Sequence, residues 1–257
     1  MKTLKQELFT RFPNEYIRCD IKTKFGINRK FYIVYILINK YRSYENFSWI
    51  TIGEVMKVCG YKLTNKKPKV FREIIDVLEF MITRKMIVID RDLPSLTYDT
   101  GIKMKINTEN FDCPENFTIL TSSQFDAIMT ANTSLNKENI LLAFLYICSY
   151  IGCRPRNDDG TERLPNPSDS PEAFFHSLTG MATDLAMSKS TISQCIDFLT
   201  GPTDNHPALL IKKEMNDKKI GKAAPNIYVL NKEGYQREIK WAQKKLREIY
   251  SVEASHK

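Results

Sequence analysis

The sequence predicts an α+β fold, mainly helical with small β-hairpins, laid out as two domains of one plan in tandem. Three observations carry this expectation. Apolar residues recur at helical spacing across 66–84 and again across 188–199, each time after a shorter helical stretch and a tight turn. Each of these stretches is followed by two short apolar runs bounded by turn residues, the signature of a hairpin. Between the halves, 107–116 sets Cys113-Pro114 among polar residues and reads as a linker, dividing the chain into 1–110 and 111–257.

In the first half, Phe31-Tyr-Ile-Val-Tyr-Ile-Leu-Ile38 is nearly all apolar and runs on toward Tyr44. Its length from Arg29 fits a buried helix, with a central strand as the competitor because Ile, Val and Tyr favour sheets. The aromatic pair Phe47 and Trp49 is expected in the core, where large aromatics mostly go, with an exposed partner patch as the competing reading. Thr51-Ile-Gly-Glu54 is a capping-box pattern, in which threonine and glutamate satisfy each other's free amides. The helix it opens carries Ile52, Val55, Met56 and Cys59, with Gly60 as its cap. A longer helix is predicted over 66–84, with Pro68 in its first turn and Val70, Phe71, Ile74, Val77, Leu78 and Met81 on one face. Met86–Asp90 reads as a strand, Leu93–Leu96 as a turn, and Ile102-Lys-Met-Lys-Ile106 as a half-exposed strand.

In the second half, Phe117-Thr-Ile-Leu120 starts the unit and Thr121 opens a short helix. Asn136–Ile151 is a long apolar helix that mirrors the one around Phe31. The segment 153–171, rich in proline and polar residues, is expected to be an exposed inserted loop. Leu185 and Ala186 end the next short helix, Met187 fills the elbow, and Ser188 is a hydroxyl N-cap for the helix that follows. Ile192, Cys195, Ile196 and Leu199 form the buried face of that helix. Ala208–Glu214 and Asn226–Leu230, bounded by Pro207, Gly221 and Pro225, read as a hairpin. A last helix over 232–250 places Tyr235, Ile239, Ala242, Leu246 and Ile249 on one stripe, to pack on its own domain or on the second subunit of a homodimer.

The candidate binding residues gather at the ends of the two longer helices. Lys189, Ser190, Thr191, Ser193 and Gln194 are short polar or hydrogen-bonding side chains near a helix N-terminus, suited to base edges in a major groove. Lys212, Lys213, Lys218, Lys219 and Lys222 lie on or within the second hairpin and suit phosphates. In the first half, 57–72 holds six basic residues, including Lys62, Lys66, Lys67, Lys69 and Arg72, and no acidic one. Cations at a helix N-terminus cost about 0.3–1 kcal/mol, so a merely solvating role is less natural there than phosphate contact. Arg72 is the expected base reader, because a guanidinium pairs with guanine through two bonds. The competing reading is that these lysines only solvate the surface.

Leu185-Ala-Met-Ser-Lys-Ser-Thr-Ile-Ser193, followed by a hairpin, resembles the helix-turn-helix of winged-helix proteins. Two such units in one chain resemble the replication initiators of low-copy plasmids and related mobile elements. That resemblance implies two winged-helix domains, double-stranded DNA with repeated origin sites as ligand, and replication proteins as partners. Two alternatives stand beside it: a transcriptional regulator, and a replisome adaptor that binds protein instead of DNA.

Composition bounds these readings. The chain has 257 residues and a formal net charge of +8, which permits nucleic-acid binding without demanding it. No apolar run approaches the ~18 residues of a membrane span, and the N-terminus lacks a signal-peptide core, so a cytoplasmic protein is expected. The six cysteines form no Cys-x-x-Cys pair and read as reduced thiols. His176, expected at the start of a helix, is one of three histidines, and neither a phosphate loop nor a nucleophile elbow is present. A non-enzyme without cofactor or metal is the expectation.

Overall fold

The computed structural model describes residues 9–62, 68–112, 115–151, 171–202, 207–215 and 225–255, the last six of these as backbone alone. The chain forms two compact units, Met1–Leu145 and Tyr146–Lys257. Both mix helices with small antiparallel sheets, as an α+β fold should.

The first unit opens with β1 (Phe9–Pro13), α1 (Asn14–Ile17) and α2 (Ile21–Phe25). Then come α3 (Lys30–Lys40), β2 (Phe47–Thr51), α4 (Ile52–Val58) and α5 (Pro68–Thr83). A hairpin of β3 (Ile87–Ile89) and β4 (Gly101–Ile106) follows, and then α6 (Thr108–Phe111), β5 (Phe117–Thr121), α7 (Ser122–Thr130) and α8 (Lys137–Tyr150). The second unit contains β6 (Phe174–His176), α9 (Leu178–Asp184), α10 (Lys189–Thr200), β7 (Leu210–Lys213), β8 (Asn226–Leu230) and α11 (Tyr235–Ser255).

Phe31–Ile38 is helical, not a strand. Every residue from Lys30 to Ile38 is buried, because α3 is apolar all round and the unit packs around it. The polar tips of its tyrosines are satisfied inside: Tyr32 donates to the Tyr16 carbonyl at 2.7 Å and Tyr35 to that of Phe111 at 2.6 Å. The Thr51–Glu54 capping box forms in full, with both reciprocal bonds made. A second box, Thr121–Gln124, opens α7 in the same way.

Both units share a sheet plan that the sequence reading gave as two-stranded hairpins only. In each, a strand ahead of the two elbow helices joins the hairpin, giving the orders β2-β4-β3 and β6-β8-β7, with the last strand in the middle. β2 and β6 are short: the aromatic pair of β2 was expected as core, and His176 of β6 at the start of a helix. Trp49 is 58% exposed, on the outer face of its sheet, which corrects its expected place in the core. His176 ends β6 and does not start a helix.

The expected division at 110/111 is also corrected. β5, taken as the start of the second unit, pairs along its whole length with β1 in the first. Lys40 of α3 holds Asp126 of α7 at 2.8 Å. Buried Lys30 binds Glu73 of α5 at 2.7 Å and Glu138 of α8 at 3.1 Å. These bonds carry the first unit well past the proline-containing segment.

In the second unit, Ala173, Met215, Ile227, Val229, Ala242 and Leu246 form one buried cluster, with Tyr235 and Ile239 packed on it. The stripe of α11 therefore covers its own unit's sheet. Ile249, the last residue assigned to that stripe, is 45% exposed.

Candidate nucleic-acid interface

Both units turn from a short helix into a longer one through the same elbow. At the end of α4 the Gly60 amide bonds the Lys57 carbonyl and the Tyr61 amide bonds that of Met56, both at 2.9 Å. This is the paired arrangement that ends a helix with a left-handed residue, here Gly60 at φ +87° one position beyond the cap, Cys59. At the end of α9 the Ala186 amide reaches the Thr183 carbonyl at 3.2 Å and the Met187 amide that of Ala182 at 2.9 Å. The left-handed position there belongs to Ala186, at φ +45°.

Beyond the second elbow, the Ser188 hydroxyl accepts the Thr191 amide at 3.0 Å and lies 2.8 Å from the Thr191 hydroxyl. Ile192, Cys195, Ile196 and Leu199 are buried, and α10 packs on α9 and β7. Lys189, Ser190 and Gln194 are exposed, whereas Thr191 and Ser193 are half-buried. Ser190 and Gln194 are one turn apart and share the outer face, with exposed Asp197 further along it. The candidate base-edge groups thus narrow to Ser190 and Gln194, since the Thr191 hydroxyl is already engaged in the cap.

On α5, Lys69 and Arg72 are exposed and three residues apart, and Lys62 is exposed ahead of the helix. Lys66 and Lys67 lie outside the described residues. The same face turns acidic further on, with exposed Asp76 and Glu79, so its positive field is confined to the first two turns. Phe71 packs against Tyr98 with ring centroids 4.8 Å apart, and Asn28 donates to the Glu73 carbonyl at 2.8 Å, which fixes the roll of this helix.

On the second hairpin Lys213 is exposed, whereas Lys212 is half-buried and pairs with Glu214 at 3.3 Å. Lys218, Lys219 and Lys222 lie outside the described residues, as does nearly all of the 153–171 segment.

A polar cluster that the sequence did not suggest supports α9. The Tyr146 hydroxyl donates to the Asp184 carboxylate, and His176 Nε2 stands 3.5 Å from the same oxygen. The imidazole lies where a Cβ on Gly180 would stand, so a larger residue there would have to push the ring aside. Burial, then the bond to Asp184, holds the Tyr146 phenol well above the usual tyrosine range. A cavity of about 370 Å³ adjoins the cluster, lined by Tyr150 and Phe174 among others. The helical spacing of 140–150 hides Tyr146 among core residues, and nothing in the sequence pairs it with Asp184.

Among the described residues, no group of three or more His, Cys, Asp or Glu side chains is placed to hold a metal ion, and no helix is long and apolar enough to cross a membrane. No protein-family model and no curated protein matches the chain.

Proposed function

We propose that the chain is a double-stranded DNA-binding protein built from two winged helices in tandem. The observation that carries this reading is the repeated order of strand, helix, elbow, helix and hairpin, with the same three-stranded sheet order in both units. In a winged helix the helix after the elbow enters the major groove by its N-terminal end. That end is the basic and polar one in α5 and in α10. Lys69, Arg72 and Lys62 would serve the first unit, and Lys66 and Lys67, which fall between them in sequence, belong to the same proposal. Lys189, Ser190 and Gln194 would serve the second, with Lys213 on phosphate. The initiator reading follows from the resemblance of a tandem winged-helix chain to plasmid replication initiators, and makes replication proteins the expected further partners. No enzymatic step is assigned.

Selection of preferred duplexes from a random pool tests this directly. A DNA reader enriches a motif, and a repeated motif supports an initiator that occupies origin repeats. Replacing Ser190 or Gln194 with alanine should relax preference at single positions by about 1–3 kcal/mol per good base contact. A pool that stays random after selection removes sequence-specific DNA binding from the account and moves the protein-adaptor alternative forward.

A further inference from the structure

We infer that the outer face of the β2-β4-β3 sheet is a second nucleic-acid surface, one that takes single-stranded nucleic acid by stacking an unpaired base on Trp49. The inner face of this sheet is ordinary core: Ile50, Ile102, Met104 and Ile106 are all buried. The outer face alternates aromatic and basic groups. Trp49 stands opposite Lys103 and Phe47 opposite Lys105 across the β2-β4 ladder, and Val88 of β3 stands opposite Lys105 from the other side. Trp49 is 58% exposed and Tyr44, in the loop leading into β2, fully so.

Exposed Trp49 and half-buried Phe47 are both held in place. A Cβ on Gly101 would fall 2.5–2.9 Å from three atoms of the Trp49 indole, so the ring rests directly on the backbone of β4. Lys103 Nζ lies 4.6 Å from the centre of the Phe47 ring, which places an ammonium against an aromatic face. An exposed ring on one strand with lysines on the strand beside it supplies both parts of single-strand recognition: a π surface for a base and a cation for the adjoining phosphate.

The charge pattern decides between classes of occupant. Lys103 and Lys105 belong to β4, the middle strand, so they occupy the centre of the face. Lysine is depleted from the cores of protein interfaces and belongs on their rims. Asp90, just past β3, is an acidic group at the edge of this face. A duplex is disfavoured because its base faces are already stacked on one another. The inference does not rest on duplex binding by α5 and α10.

The test uses the full chain with fluorescent oligothymidylate and oligouridylate, read by anisotropy at low salt. Binding of either supports the assignment, and the tighter of the two names the sugar. Trp49→Ala should weaken binding by about tenfold, the loss of one stacked base, while Trp49→Phe should retain most of it. Lys103→Ala with Lys105→Ala should flatten the salt dependence by about 0.7 per lost phosphate contact. Because Trp49 is exposed, these variants should fold, as circular dichroism would confirm. Lys69→Ala with Arg72→Ala should weaken duplex binding and leave single-strand affinity unchanged, separating the two surfaces. The assignment is overturned if the wild-type chain binds neither oligonucleotide, or if Trp49→Ala binds both as well as the wild type does.

Discussion

Lys30→Met should be among the most damaging single substitutions in the first unit. The Lys30 side chain is 7% exposed, and its ammonium binds Glu73 at 2.7 Å and Glu138 at 3.1 Å. Burial alone would draw its pKa down. The negative charge of Glu138 and the hydrogen bonds to Glu73 and Glu138 outweigh burial and hold the ammonium above the usual lysine range. Removing one partner of a buried ion pair costs about 3–5 kcal/mol, because the other charge is left uncompensated. The Glu73 side chain is 26% exposed and can rehydrate, so the lower end applies, about 3 kcal/mol. At this chain length that lowers Tm by about 6–12 °C. The pH dependence separates this cause from simple loss of packing. The folded wild type holds the Lys30 proton more tightly than the unfolded chain does. That stability is fully present below about pH 10.4 and is lost as pH rises through the raised folded-state value, by at most about 1.4 kcal/mol per unit. Tyr32 and Tyr146, also raised by burial, act alike in both proteins and cancel from the difference between the two curves, which then reports Lys30 together with its neighbours Cys59 and Tyr61, both of which its charge holds down. Urea unfolding followed by circular dichroism at neutral and alkaline pH reads both regimes. A deficit below about 0.5 kcal/mol at pH 7, the scale of an ordinary surface substitution, would refute the buried network. So would a deficit that does not change with pH.

Three further outcomes follow from the elbows and the core. Ala186→Gly should stabilise the second unit by about 0.5–1 kcal/mol in thermal unfolding, since alanine at φ +45° is strained and glycine is not; a destabilised variant would contradict the left-handed turn. Ser188→Ala should cost about 1 kcal/mol by removing the hydroxyl that accepts the Thr191 amide, and Ser188→Asp should restore most of it. Cys59, whose thiol burial pushes up to about 12, should resist iodoacetamide at pH 7.5 in the folded chain and react freely in urea, as peptide mapping would report.

The helices were legible because their signals are local. The capping box at Thr51–Glu54, the hydroxyl cap at Ser188 and the apolar face of 70–81 each depend on residues within a turn or two of one another. Strand pairing is not local. β1 and β5 pair from Phe9↔Thr121 to Pro13↔Phe117, and no short window of sequence reports that. The misplaced boundary followed from this, because Cys113-Pro114 looks like a linker when its flanking strand has no visible partner. β2 was missed for another reason. Its alternation, with Phe47 and Trp49 outward and Ser48 and Ile50 inward, puts the large aromatics on solvent, the reverse of the usual pattern. At the candidate interface, the exposure of Lys69, Arg72, Ser190 and Gln194 agreed with helical spacing. The engagement of Thr191 in the cap and of Lys212 with Glu214 required side-chain geometry.

The most direct test of duplex binding by both elbow helices is a salt titration of the full chain on random-sequence duplex DNA, alongside Lys69→Ala and Lys189→Ala. These two lysines are exposed, one in each unit, and each sits at the start of its unit's longer elbow helix. The account predicts tight binding at low salt that falls steeply as salt rises, with each substitution lowering the slope by about 0.9, the value of one phosphate contact. No binding at low salt, or slopes that neither substitution changes, would contradict it.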